Sequence, residues 1–440
     1  MMKINYALAL LLLILIQLNF KVLSQDRHFQ DSGLNYAKLY RIDSIVHEGI
    51  KAKAFPGCQV LVLKNGQVIY DKCFGYYTYD SIQQVKSTTM YDLASLTKTT
   101  ATLLAVMKLY DSKKLKISDK ASKYLPFLRN TDKENITIQD LLFHETGLPG
   151  SLPFYKLAIV KINTSSNVRT SNDIIPPSTD FKYIDSLVSK YPSSDFNLQV
   201  SDSFYLHKSM HKAAMKMIAD THLNAKTYLY SCINFILLKE IVEKISGMSI
   251  DKFLDKNFYS PLQLHNIAYL PLRTHPKQQI APTLTGDFLR IGVFQGFVHD
   301  PAAAFIGGIS GNAGLFATAS DVAVIYQLLL NNGEWNHKPY LKTKTCKLFT
   351  TKTSASGRRG LGFDKPIPSN PKLSPCCQSA PYEVYGHTGY TGNCCWVDPI
   401  NQLVYIFLSN RTYPDDVGNK LSKMGIRTQI QEVIYESIKK

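Results

Sequence analysis

Ser95 and Lys98 stand three residues apart in Ser95-Leu96-Thr97-Lys98, at the head of a segment that reads as a helix. Leu96, Leu103, Leu104, Val106, Met107 and Leu109 supply its apolar residues over 95–110, with no Pro or Gly inside. Residues three apart on a helix share a face, so a hydroxyl and an ammonium would sit side by side at its N-terminus. The positive end of the helix dipole and partial burial both disfavour a cation there, which predicts a lowered Lys98 pKa. A lysine that can be neutral beside a serine hydroxyl can take its proton and leave a nucleophile. Alone, S-x-x-K is a short pattern that recurs by chance, and an N-cap serine followed by an exposed lysine would look the same.

Two further stretches add weight. Tyr230-Ser231-Cys232 precedes a helix over 233–246 that ends at Gly247, and Gly386-His387-Thr388-Gly389-Tyr390-Thr391-Gly392 enters a late strand. In this order and at these separations the chain resembles the serine β-lactamase and penicillin-binding-protein superfamily. Its members carry S-x-x-K, then Y-x-N, then K-T-G or H-x-G. The likeness is greatest to the class C-type branch of esterases, D-alanyl carboxypeptidases and peptidases. The flanks agree: Asp92-Leu93-Ala94, the stretch L-L-F-H-E-T-G-L-P over 141–149, G-N-A-G-L-F over 311–316, Trp396-Val397-Asp398-Pro399, and Phe407-Leu408-Ser409-Asn410-Arg411. The resemblance spans about residues 35–438, and the tail with 297–300 is similar to a Bacteroidetes-type secreted branch.

The resemblance implies a role for each residue. Ser95 attacks a carbonyl and becomes acylated, while Lys98 accepts or relays its proton. Tyr230, with its pKa lowered by Lys98, serves as general base and then acid. The backbone N–H groups of Ser95 and Tyr390 form the oxyanion hole. Thr388 and Gly389 align the substrate along the strand, Gly389 by leaving room for it. His387 stands where relatives place Lys or His, partly charged near neutral pH, to bond the Tyr230 side of the network or a substrate carboxylate. Cys232 departs from the pattern, since relatives carry Asn or Asp there. It should face the site without the amide that contacts a substrate acylamide. Asn312, where relatives often have His, is expected to be structural.

Other candidates weaken. His207 and His211 are four apart on an expected helix over about 207–220, but H-E-x-x-H and a third ligand are missing, so a surface pair is expected and no metal. Residues 307–314 are Gly-rich without the G-K-[ST] of a phosphate loop and read as close packing under the cleft. No cofactor is implied.

The elements that must position these groups follow a simple order. An amphipathic helix over 39–50 precedes a hairpin over 58–75, whose Asn65-Gly66 is a strong two-residue turn signal. Helical patterns then dominate at 95–112, 137–143, 207–220 and 233–246, with an irregular stretch at 163–179, before a further helix at 321–331. Strands return at 385–388, 394–397 and 403–408, and a helix over 426–438 closes the chain. The expected fold is α+β and β-lactamase/transpeptidase-like. An antiparallel sheet is built from both chain ends (about 34–92 and 380–440) and flanked by the terminal helices, with an all-α lobe over about 93–330 as a large insertion.

Composition bounds the rest. With 440 residues, 45% hydrophobic, the chain can bury a large core. Lys3, the apolar run 6–18 and Val22-Leu23-Ser24 read as a signal peptide over 1–24, leaving 25–440 as one exported hydrolase domain, periplasmic or extracellular. An uncleaved anchor is the alternative reading. The net charge is +16, or +14 without Lys3 and Lys21, but the lysines are scattered and no nucleic-acid module is visible. Eight cysteines suit a disulfide-permissive compartment. With Asn65-Gly66 at the turn, Cys58 would fall opposite Cys73 and could bridge to it, or both could simply pack on one face.

The expected function is an exported serine hydrolase that cleaves esters or amides of a small-molecule or peptide-like acyl substrate. A D-alanyl-D-alanine carboxypeptidase or β-lactamase is the enzymatic alternative. A cell-wall-binding module without turnover is the alternative of another class, motivated by Cys232.

Overall fold

The computed structural model describes residues 34–161 and 180–438; the expected signal peptide over 1–24 and the irregular stretch 163–179 lie outside them. The site rests on α1 (Arg41–Lys51), β1 (Gly57–Lys64), β2 (Gln67–Gly75), β3 (Tyr91–Asp92), α2 (Leu103–Asp111), α3 (Ile138–Phe143) and α4 (Cys232–Ser246). Later come β4 (Ile267–Tyr269), β5 (Leu315–Ala317), α5 (Ala319–Leu330), β6 (Tyr385–Thr388), β7 (Cys394–Asp398), β8 (Leu403–Ser409) and α6 (Ile426–Ser437).

Five strands form the main sheet in the order β6-β7-β8-β1-β2, each pair antiparallel, so both chain ends contribute. The central strands Val60-Leu61-Val62-Leu63 and Val404-Tyr405-Ile406-Phe407-Leu408 are apolar without alternation because both faces are covered. Val60, Val62 and Phe407 pack against Ile42 and Val46 of α1 and Ile430, Val433 and Ile434 of α6. Leu61, Leu63, Ile406 and Leu408 face the opposite way, toward α5 and the helical region. Such alternation follows from successive side chains pointing to opposite faces of a strand.

The hairpin turns at Asn65 (φ +51°) and Gly66 (φ +75°), the left-handed pair that a tight two-residue turn requires. The cysteine register differs from expectation. Val62 pairs with Tyr70 but Leu63 with Val68, so β2 carries one extra residue at this point. That bulge slips the pairing: Cys58 stands opposite Phe74, and Cys73 opposite Gln59. A one-residue slip sends side chains to opposite faces. Cys58 lies in the core beneath α1 and α6, whereas Cys73 packs against the other core; both are free thiols.

Three further expectations change. The insertion is not all helical: Ile159–Lys161 pairs with Phe181–Tyr183, and Val188–Ser189, Phe204–His207 and Phe196–Ser201 form a three-stranded sheet. His207 ends a strand and His211 lies on the following helix, Ser209–Asp220, bonded to Glu240, so the two are not a helical pair. The segment after Ser95 is also not one α-helix. A 3₁₀ turn at Ala94–Leu96 and a π-turn at Lys98–Thr102 precede α2. Its threonines explain the departure. Thr97 accepts from Leu315 N–H, Thr99 bonds the Tyr326 hydroxyl (2.6 Å) and Thr102 donates to the Gly311 carbonyl (2.8 Å). Side chains tied outward to neighbouring elements compete with a regular helix. Gly311 allows this approach, since a Cβ there would meet the Phe235 carbonyl oxygen at 1.9 Å.

Candidate functional site

Ser95 follows directly on Ala94, which is held at φ +46°, a strained value for a residue with a Cβ. The conformation is enforced from several sides. The Asp92 carboxylate accepts from Ala94 N–H (2.8 Å) and His299 N–H (2.7 Å). The Asp92 carbonyl accepts from Thr391 Oγ1 (2.6 Å) and Asn393 Nδ2 (2.8 Å), which sews the nucleophile turn to the loop after β6. Gly389 belongs to the same seam. A Cβ there would stand 2.4 Å from the Leu93 carbonyl oxygen, so its bare Cα makes room for the turn that carries Ser95.

Lys98, fully buried, reaches Ser95 Oγ at 3.0 Å and donates to the Asn312 carbonyl at 3.0 Å. The Asn312 side chain bonds Ser310 (2.7 Å) and Asp300 (3.2 Å), while its main-chain carbonyl holds the lysine. The Cys232 sulfur, at the first turn of α4, lies 3.5 Å from Lys98 Nζ. The Lys98 ammonium is 5.0 Å from the centre of the Tyr230 ring. Tyr230 is half-buried as a residue, and its buried hydroxyl oxygen makes no hydrogen bond of ordinary geometry among the described residues, although Lys98 and Ser95 lie close enough to act on its titration.

The protonation states differ from those expected. Burial works to lower the Lys98 pKa, but Cys232 and Tyr230 beside it favour the charged form and the net direction is upward. Burial raises the Tyr230 pKa, and the opposing pull of Lys98 does not overcome it. At neutral pH the pair therefore rests as ammonium and phenol. His387 is buried on β6, and its pKa falls to about 3, through burial first and the nearby Arg359 second. It is neutral rather than partly charged, because Asp364 offsets only part of these effects. Its Nδ1 bonds the Thr388 carbonyl (2.7 Å), while Nε2 has no partner among the described residues. The Tyr230 and His387 rings are 5.8 Å apart.

Ser95, Tyr230 and Tyr390 lie where two cavities meet. One, of about 370 Å³, is lined by Arg358, Arg411, Arg427, His387, Thr388 and Gly389. The other, of about 530 Å³, is lined by Cys232, Phe288, His299, Asp300, Asp415 and Asp416. Tyr390 is exposed, and its ring is held by Arg411 (4.5 Å) and His299 (5.4 Å). Arg427 has no ion-pair partner among the described residues, whereas Arg358 pairs with Asp364 and Arg411 with Asp416 (2.8 Å). Every residue singled out for this site in the sequence thus reaches one locality. Sequence reasoning did not single out Arg358, Arg359, Asp364, Arg427 or His144, although His144 lies within L-L-F-H-E-T-G-L-P and Arg411 within the F-L-S-N-R flank. These motifs were visible, but nothing in them showed what the side chains touch.

A serine hydroxyl against a buried lysine, a buried phenol beside them and two open cavities can support acyl transfer. Comparison with known proteins agrees. The family model described as "Beta-lactamase" matches residues 42–423. A protein of Escherichia coli K12 named "Putative D-alanyl-D-alanine carboxypeptidase" is 30% identical over 414 residues, covering 87% of this chain and 85% of that protein. The N-acetylmuramyl-L-alanine amidase of Bacillus subtilis 168 is 30% identical over 404 residues, covering 86% and 81%. Among solved structures, EstCE1, a hydrolase with promiscuous acyltransferase activity, has a TM-score of 0.64 at 18% identity, over 91% of this chain and 99% of that one. At 18% that likeness speaks for the fold alone.

Proposed function

The chain belongs to the beta-lactamase family of serine hydrolases, and from that premise we propose that it is exported and cleaves ester or amide bonds through an acyl-enzyme on Ser95. The observation that carries this reading is the 3.0 Å contact between Ser95 Oγ and the buried Lys98 Nζ, at the meeting point of two cavities.

In this mechanism Ser95 Oγ attacks the substrate carbonyl carbon as its proton passes to the Lys98–Tyr230 pair. The pair must first lose one proton, and either nitrogen or phenolate oxygen then receives that of Ser95. Negative charge developing on the carbonyl oxygen is met by the N–H groups of Ser95 and Tyr390. The tetrahedral intermediate collapses, the pair returns the proton to the leaving alcohol or amine, and the acyl group stays on Ser95. Water then attacks the ester, giving up its proton to the same pair, which returns it to Ser95 Oγ as the carboxylic acid leaves.

A carboxypeptidase-like specificity is the second reading, favoured by Arg427. The neutral His387 cannot serve as a cation for a substrate carboxylate, but an Arg427 without an ion-pair partner, in the 370 Å³ cavity, can. Cys232 argues the other way, because a thiol does not supply the amide hydrogen bonds that Asn offers to a peptide-like acyl group. Intact-mass measurement separates the readings after incubation with a fluorophosphonate, a penicillin and a short-chain ester. The proposal expects an adduct on Ser95 with the fluorophosphonate together with ester turnover. Penicillin adduct formation would favour the carboxypeptidase or β-lactamase reading. Absence of any adduct or turnover would leave the binding-module reading.

A further inference from the structure

His144 is fully buried and lies at the end of α3 in the left-handed conformation (φ +56°). Its main chain and side chain grip the residues on both sides of Tyr230. The His144 carbonyl accepts from Leu229 N–H (2.9 Å), and His144 Nδ1 accepts from Ser231 N–H (3.1 Å). A backbone N–H can only donate, so Nδ1 carries no proton and the neutral ring bears its hydrogen on Nε2. Asn234 Nδ2, 3.1 Å away, is then a second donor to the same nitrogen. Thr146 donates to Asn234 Oδ1 (2.9 Å), which sets the amide the right way round for this.

The loop that follows His144 completes the cradle. Ser231 Oγ donates to the Pro149 carbonyl (2.6 Å), and Cys232 N–H donates to the Gly150 carbonyl (2.8 Å). Between these clasps the His144 ring lies against that of Tyr230, with centroids 4.7 Å apart and planes at 35°. Burial keeps His144 neutral, so it adds no charge beside the phenol.

We propose that His144 is a positioning residue that sets the place of the Tyr230 hydroxyl over the Ser95–Lys98 pair. The inference rests on the proton-transfer role given to Tyr230 above. It assigns a purpose to a strained histidine that touches neither Ser95 nor Lys98. The energetic basis is geometric, because misplacement of a reacting group by about 1 Å can cost 10²-fold in rate.

The test uses the whole protein with His144→Gly and His144→Asn. Glycine accepts φ +56° and keeps the carbonyl clasp but loses the ring and the Nδ1 acceptor. Asparagine also tolerates this conformation and keeps a short acceptor for Ser231 N–H. The glycine variant is expected to lose about 10- to 100-fold in kcat for a neutral ester with KM changed less than about threefold. Its alkaline rate limb should move to lower pH as water reaches the phenol and relieves its burial. The asparagine variant should recover most of kcat.

A folded glycine variant within twofold of wild-type kcat would overturn the proposal. So would an asparagine variant as stable as wild type that recovers nothing, or losses that track the folded fraction with an unmoved pH profile. If the glycine variant does not fold, His144→Gln takes its place. Its amide is displaced by a methylene from the Nδ1 position, so full activity in that variant would refute the inference. Wild-type protein that neither acylates nor turns over ester refutes the underlying reading instead. Active wild type with indifferent variants refutes only the role of His144.

Discussion

Arg411 holds Tyr390 twice over. Its Nε donates to the Tyr390 carbonyl at 2.8 Å, and its guanidinium lies 4.5 Å from the centre of the Tyr390 ring. Its own N–H donates to the Thr391 carbonyl (2.9 Å), and Asp416 braces the guanidinium from behind (2.8 Å). An exposed residue is thereby given a defined backbone orientation. Such an anchor is what a peptide N–H needs if it is to be aimed at a developing oxyanion.

Arg411→Met keeps the length of the side chain and the main-chain bond to Thr391 but removes the guanidinium's contacts with Tyr390 and Asp416. It is expected to lower kcat about tenfold or more while KM for a small ester stays within about threefold, because oxyanion donors act mainly in the transition state. Equal losses in kcat and KM terms would place Arg411 in ground-state binding instead.

Ser95→Ala should abolish ester turnover, with a loss of 10³-fold or greater of the kind usual for a nucleophile. Thermal stability should hardly change, since only a hydroxyl is removed and Lys98 keeps its bond to Asn312. Residual kcat above about a tenth of wild type would rule the assignment out.

The pH profile follows from the raised pKa values of Lys98 and Tyr230. A raised pKa leaves both groups protonated near neutrality, and the reactive form, one proton poorer, grows as pH rises. For a neutral ester kcat/KM should therefore climb through pH 8 and still be rising at the ordinary tyrosine and lysine values of about 10, because both groups are raised above them. Tyr230→Phe should slow acylation and deacylation by about 10² or more. His387, neutral above about 3, should add no limb between pH 5 and 8. A limb near 6.5 that disappears in His387→Gln would show that His387 titrates in the working range.

Cys232→Asn should raise the ratio of kcat/KM on a D-alanyl peptide or cephalosporin to that on a nitrophenyl ester. One restored hydrogen bond is worth roughly 0.5–1.5 kcal/mol, a few-fold in rate. An unchanged or lower ratio would mean that Cys232 does not stand in for the missing amide. Iodoacetamide gives an independent reading: labelling of Cys232 should slow after Ser95 is acylated, because both line the same cavity.

Gly389→Ala should damage catalysis through the nucleophile turn. The new methyl would sit 2.4 Å from the Leu93 carbonyl oxygen, so the backbone must shift two residues before Ser95. A fall of about tenfold or more in kcat, with a lower melting temperature, is expected. Wild-type kcat with a raised KM alone would return Gly389 to substrate alignment.

Much of the architecture was legible because it depends on neighbours along the chain. The Asn65-Gly66 turn, the paired late strands 385–409 and the helix α4 with Gly247 at its end follow from turn chemistry and periodicity. The insertion was less legible, since strands as short as Ile159–Lys161 and Phe181–Tyr183 carry too few residues to show a period. The bulge in β2 was invisible for another reason: the turn alone predicts an unbroken register, and only packing on both faces of the sheet reveals the extra residue.

The sequence by itself determined the order of the candidate groups: Ser95 with Lys98, then Tyr230 with Cys232 in the place of a substrate-binding amide, then His387, at separations that suit one family. Those facts concern side-chain type and spacing, which folding does not alter. Tertiary structure alone decided their states. Lys98 keeps its proton because Cys232 and Tyr230, more than a hundred residues away along the chain, come to lie beside it. His387 loses its charge because burial and Arg359 oppose it. Tyr230 takes its place from His144 and the loop up to Gly150. Desolvation and Coulomb interaction depend on distance in space, and that distance is set only when the lobes close on one another.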